Sequence, residues 1–142
     1  MEALQWPMNL EFDLETGKRG DRDDVAYLIG IVDRLVRAGC VDRSRVYAAG
    51  LSAGAAMSVV LGAQYPDLFA AVAAHSGPAY GAAGNARQAL AGMQALTTPP
   101  VVEPGPLRWP PLMVLQGNAD RTVSPRNADR LAQQWLAQSA GR

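Results

Sequence analysis

Short apolar runs alternate along this chain with longer segments whose apolar residues recur every three or four positions. The first periodic segment starts at Asp21 and sets Val25, Leu28, Ile29, Val32, Leu35 and Val36 on one helix face. Asp21, Asp23 and Asp24 crowd its first turn, where negative charge meets the positive end of the helix dipole. Arg34 and Arg37 fall in the last turn, and Gly39 suits a left-handed stop. Capping explains the three aspartates better than a metal cluster, because no partner ligands accompany them. Cys40 then reads as a small buried hydrophobe. Asp42 reads as a turn residue that accepts from backbone N–H groups two residues on.

The next run, Arg45-Val46-Tyr47-Ala48-Ala49, predicts a buried strand. Ala55 to Tyr65 is long enough for three helical turns and is stopped by Pro66. Leu68 to Ala74 predicts a second strand, closing on His75-Ser76-Gly77-Pro78. Residues 85 to 96 predict a helix capped by Asn85, with Ala89, Leu90, Met93 and Leu96 on one side. Thr97 to Pro111 is dense in proline and reads as a surface loop. Pro111 to Gln116 is a third buried strand, turning at Gly117-Asn118-Ala119-Asp120. Ser124 caps a last helix with Pro125 at its first position, its inward face being Ala128, Leu131, Ala132, Trp135 and Leu136. Such alternation predicts an α/β fold, a three-layer αβα arrangement around a parallel sheet. Residues 1 to 20 carry no clean period, and Trp6 there reads as a hydrophobic plug.

Composition narrows the function classes. The 142 residues make one domain at most, with no repeat or linker; 49% are hydrophobic and 18% charged, as in ordinary globular chains. Thirteen basic residues balance thirteen acidic ones, which gives no electrostatic case for nucleic acid or an acidic membrane surface. One cysteine and one histidine leave no basis for an internal disulfide or a metal centre, and nothing suggests an organic cofactor. No apolar run approaches membrane-spanning length, and the first residues lack the charged head and apolar core of a signal peptide.

The chemistry concentrates at Gly50-Leu51-Ser52-Ala53-Gly54, between a strand and a helix. A Gly-x-Ser-x-Gly in that setting predicts a nucleophile elbow, a turn so tight that Gly50, Ala53 and Gly54 must be nearly side-chain-free. It lifts the Ser52 hydroxyl above the sheet and aims the Ala53 N–H where an oxyanion would form. In parallel sheets functional groups gather at the carboxyl ends of strands, where Ser52, His75 and Asp120 all fall. Asp120 reads as the triad carboxylate, in the order serine then acid; the competing reading is a turn-closing aspartate or a partner of Arg121. The histidine should follow the acid, and none does. His75 reads as the pocket floor rather than the base, and a serine without a base is a poor nucleophile.

Asp42-Arg43-Ser44-Arg45-Val46-Tyr47-Ala48-Ala49-Gly50-Leu51-Ser52-Ala53-Gly54-Ala55-Ala56-Met57 resembles the poly(3-hydroxybutyrate) depolymerase-type esterases. So do Tyr65 to Gly77 with Tyr80-Gly81, the acid-bearing Gly117 to Val123 with Asn127, and Trp6 with Asp23-Asp24-Val25. The resemblance implies an α/β-hydrolase fold and secreted hydrolysis of carboxylic esters, either a polyester or aryl and acetyl esters of polysaccharide. By matching position Ser52 is the nucleophile, Asp120 the acid and Ala53 an oxyanion donor. The family's upstream histidine-glycine oxyanion stretch and its downstream histidine loop have no counterpart here. A βα unit takes about 30 residues, so eight strands need on the order of 240. Residues 1–142 are therefore expected to be a single partial domain, the elbow strand and the two that follow. Its uncovered sheet edge predicts self-association. The alternatives are an inactive truncated hydrolase acting as a binding or assembly module and, more weakly, a prolyl-oligopeptidase-like peptidase.

Overall fold

A computed structural model describes residues 18–140 except 20, 21, 84, 85, 104 and 106. Trp6, Asp21 and Asn85 lie outside the described residues. A two-residue antiparallel ladder, β1 (Lys18–Arg19) with β2 (Arg22–Asp23), leads into α1 (Asp24–Arg37). Asp23 is the helix cap, its carboxylate accepting from the Ala26 N–H at 2.8 Å. At the other end Gly39 adopts φ 70°; its N–H donates to the Val36 carbonyl, and that of Cys40 to Leu35, both at 3.0 Å. This pair of bonds is a Schellman stop. It employs the Cys40 backbone and leaves its side chain exposed, contrary to the buried reading. Asp42 behaves as read, accepting from the Ser44 N–H at 2.9 Å and opening a short 3-10 turn, Arg43–Arg45.

Three parallel strands follow in the spatial order of the chain: β3 (Tyr47–Leu51), β4 (Ala71–His75) and β5 (Leu112–Leu115). Between β3 and β4 runs α2 (Ala53–Gln64), apolar on all sides and buried continuously from Ala55 to Gly62. A helix with no polar face has to be covered all round. Here the sheet provides one wall: α2 packs on both β3 and β4. Gly62 permits the closest part of that contact, since a Cβ there would stand 2.6 Å from Val72 Cγ2 and 3.2 Å from the Trp135 ring.

The sheet is covered on one face only by described residues. Ala48, Val72 and Ala74 are buried on the helix side, where α2 and α4 (Arg126–Ala140) pack. The pairing register Leu51–His75–Leu115 and Ala49–Ala73–Met113 assembles the opposite face. Tyr47, Leu51, Met113 and Leu115 are exposed there. The strands at both edges, read as buried, are therefore open on that face. Two of the expected three layers lie within the described residues, the parallel sheet and the helices on one side of it, in the β-α-β order of the expected hydrolase fold.

The last helices show why periodicity overstates burial at helix ends. On α4, Leu131 and Trp135 are core, but Leu136, read as inward, is exposed. On α1 and around α3 (Ala86–Met93), Leu35, Leu90 and Leu96 are exposed as well. In return α4 turns polar side chains inward at a regular spacing, Arg130 and Gln134 half-buried and Gln138 buried. Arg130 donates to the Thr97 carbonyl, and Gln138 to Val102 at 2.6 Å. Gln134 both accepts from the Tyr80 N–H at 2.9 Å and donates to its carbonyl at 3.0 Å. These side chains bind the proline-rich segment to the helix, so it is more than a surface loop. Trp109 within it is buried, 4.5 Å from Trp135 between ring centroids and 5.7 Å from Tyr80.

Trp135 joins these parts, its indole N–H donating to the Pro110 carbonyl at 2.6 Å. Replacing it with alanine should cost about 3–5 kcal/mol, read as a lowered urea midpoint with an unchanged slope.

Candidate active site

The strand ends are level. Leu51, His75 and Leu115 are paired across the sheet, so Ser52, Ser76 and Gln116 form the next row at its carboxyl edge. Ser52 takes φ 55° and ψ −115°, a conformation L-residues rarely hold. Its N–H donates to the His75 carbonyl at 2.9 Å, and its own carbonyl accepts from Ala56 at 3.1 Å. The serine is thus the last residue tied to the sheet and the first of the helix. A Cβ on Gly50 would lie 2.0 Å from the Gly54 carbonyl oxygen, so only glycine fits there. Gly54 differs from expectation: a Cβ on it meets nothing within 4 Å. Ala53 opens α2, and as a first-turn residue its N–H has no acceptor within the helix.

Ser52 borders an apolar groove of about 700 Å³ along the free edge of β3, with Leu28, Val32, Met57 and Phe69 in its walls. His75 is not among its lining residues. It is exposed and shares the open sheet face with Leu51 and Leu115, so the pocket-floor reading does not hold.

Asp120 closes its turn and offers a carboxylate at once. Oδ1 accepts from the N–H groups of Thr122 and Val123, each at 2.9 Å. Oδ2 accepts from Gln116 Nε2 at 3.2 Å. The Val123 and Thr122 N–H groups do most to hold the acid below the usual carboxylate range, opposed by partial loss of water and helped by Ser76 and Gln116. It stays ionised at neutral pH, as an imidazole-orienting acid must. One strand separates it from Ser52, about 10 Å between the axes of β3 and β5. Sequence reading missed Gln116. Missed too was Gln94, whose amide donates to the carbonyls of Arg121 and Thr122 at 3.3 and 2.7 Å and pins the acid loop from behind. Only their place one step beyond a strand or helix end could have singled them out. Among the described residues no three His, Cys, Asp or Glu side chains converge as metal ligands.

Residues 10–140 match the family model described as esterase PHB depolymerase. The chain belongs to that family. Poly(3-hydroxyalkanoate) depolymerase C of Paucimonas lemoignei is 32% identical over 120 residues, 74% of this chain and 28% of that protein. Feruloyl esterase B of Thermothelomyces thermophilus is 28% identical over 136 residues, 85% of this chain and 47% of the relative. Acetylxylan esterase A of Aspergillus oryzae is 29% identical over 156 aligned positions, 94% and 48%. A solved acetyl xylan esterase from Aspergillus awamori superposes with a TM-score of 0.68 at 21% identity, covering 91% of this chain and 54% of its own. This PHB depolymerase-family chain thus spans about half the length, or less, of the curated relatives it matches.

The two glycines of the elbow separate its constraints. Gly50→Ala should abolish cooperative folding, or cost about 3 kcal/mol or more through backbone displacement. Gly54→Ala should leave the thermal midpoint within about 2 °C of the parent, since the added methyl meets open space and helix propensity improves.

Proposed function

We propose that this chain carries the nucleophile and acid of a serine carboxylic-ester hydrolase. Ser52 is the nucleophile, the Ala53 N–H an oxyanion donor and Asp120 the acid. The observation that carries this reading is Ser52 at φ 55° on a turn that only glycine at position 50 permits. Such a turn presents a hydroxyl clear of the sheet, beside the free N–H groups of a helix start. Ser52 Oγ would attack the ester carbonyl carbon while an imidazole takes its proton. The resulting oxyanion would accept from the Ala53 N–H, and collapse would expel the alcohol, which takes back the proton. Water would then release the acid from the acyl-serine by the same steps.

The imidazole is the missing part. The sequence has one histidine, His75, and it lies on the open sheet face. We therefore assign the base to polypeptide outside these 142 residues, in keeping with the shorter span of this chain. The relatives named above act on polyhydroxyalkanoate, feruloyl and acetylxylan esters, which supports ester-bearing polymers as substrates and, as the resemblance implies, action outside the cell.

Exogenous imidazole tests this directly. A fluorophosphonate should label Ser52 with a rate that imidazole raises about tenfold or more. Ser52→Ala should remove the adduct, and Asp120→Asn should remove the acceleration. A folded chain that stays unlabelled at Ser52 in saturating imidazole would overturn the catalytic reading.

The bare sheet face favours a second reading, assembly with a second copy of this chain. Tyr47, Leu51, Met113 and Leu115 form one exposed, largely apolar surface around His75. Two such surfaces are self-complementary about a twofold axis. Sedimentation velocity should then reveal a concentration-dependent dimer that Met113→Lys weakens by about tenfold or more. A monomer at every concentration would rule it out.

A further inference from the structure

Asp120 Oδ1 receives the N–H groups of Thr122 and Val123, each at 2.9 Å. Each of those N–H groups belongs to a planar peptide whose carbonyl points the opposite way, that of Arg121 in the first case and of Thr122 in the second. Both carbonyls are bound by one side chain. Gln94 Nε2 donates to the Arg121 oxygen at 3.3 Å and to the Thr122 oxygen at 2.7 Å. A primary amide has two N–H donors, and here both serve the two peptides that hold the acid. A donor on a carbonyl oxygen fixes the plane of its peptide and polarises the N–H at the other end. The bonds therefore run from Gln94 through two peptides into Oδ1. Gln94 itself has a firm seat one residue past α3, its N–H on the Leu90 carbonyl at 3.2 Å. Just before it, the Met93 carbonyl accepts from the Ser124 N–H at 2.7 Å and from the amide of buried Asn127 at 2.8 Å. The Gln94 side chain is exposed, so little apolar burial depends on it.

We propose that Gln94 is a positioning residue for the reaction, its amide fixing the two peptides of the acid loop that aim their N–H groups at Asp120. Gln116 reaches the carboxylate directly from the end of β5, on Oδ2. Gln94 reaches it from the end of α3, through the backbone and on Oδ1. A carboxylate held at both oxygens keeps one orientation, as directing an imidazole requires. This inference rests on the reading of Asp120 as the acid, and its test separates the two.

The test uses the 142-residue chain with Gln94→Met and Gln94→Lys. Methionine keeps the length of the side chain without a donor, whereas the lysine ammonium can still donate to both carbonyls. Because the position is exposed, both variants should unfold at the urea midpoint of the parent. In Gln94→Met the amide protons of Thr122 and Val123 should both move upfield in NMR spectra, as donors that are no longer polarised. The Asp120 carboxyl, followed by carbon-detected NMR against pH, should titrate at higher pH than in the parent, because the donors to its charged form are weaker. Asp42, which keeps the Ser44 N–H and hydroxyl, should not move. The imidazole-dependent labelling of Ser52 should fall about threefold or more in Gln94→Met and recover in Gln94→Lys. Amide protons and an Asp120 titration unchanged in Gln94→Met overturn the proposal. So does a titration that moves while labelling keeps the parent rate, or a urea midpoint that falls in step with both. If Ser52 of the parent never reacts, the ester-hydrolase reading fails, and the amide protons and the titration alone decide whether Gln94 holds the carboxylate through the loop.

Discussion

The approach of Gly50 to the Gly54 carbonyl is the contact on which the rest of the molecule depends. With no side chain between them, β3 turns into α2 within one residue, and that residue must accept a positive φ. Because the turn is so short, α2 starts directly over the sheet and lies against both β3 and β4. Its apolar surface then needs cover on the far side, which α1 and α4 help to provide through residues such as Val25, Leu131 and Trp135. One local steric fact therefore propagates into the layer structure. It also fixes the direction in which Ser52 leaves the sheet.

The site was legible wherever chemistry and geometry make the same demand. At Ser52 the need for a tight turn and the need for a raised hydroxyl coincide, so five residues suffice to read both. Asp120 is harder. It shares with Asp42 the habit of accepting backbone N–H groups two residues on, and both acids are held below the usual carboxylate range. The sequence separates them only by position, Asp120 following a strand and Asp42 preceding one. The parallel register then puts the end of the strand before Asp120 in one row with Ser52 and Ser76.

Strands and helices were read within two or three residues of where they stand, because their apolar runs end at glycine, proline or serine. Burial was read less well. An apolar residue in a short strand is assigned to a core by its type, yet Tyr47, Met113 and Leu115 face an uncovered side. The polar residues were missed for the complementary reason. Asn127 is buried because its amide donates to the Gly92 and Met93 carbonyls at 3.0 and 2.8 Å, closing the end of α3. No periodic pattern announces a side chain that satisfies a distant backbone.

The polar stripe on α4 has a consequence for how the molecule comes apart. Arg130, Gln134 and Gln138 occupy successive turns, and each donates to a carbonyl of the segment 33 to 36 residues earlier, those of Thr97, Pro100 and Val102. The segment, rich in proline, has few N–H groups with which to build structure of its own. Its order is borrowed from the helix. Loss of α4 strips those carbonyls of their donors and Trp109 of its neighbour together, so helix and strap form one cooperative unit. A protease able to cut this strap would in effect be reporting on the opening of a helix it never touches.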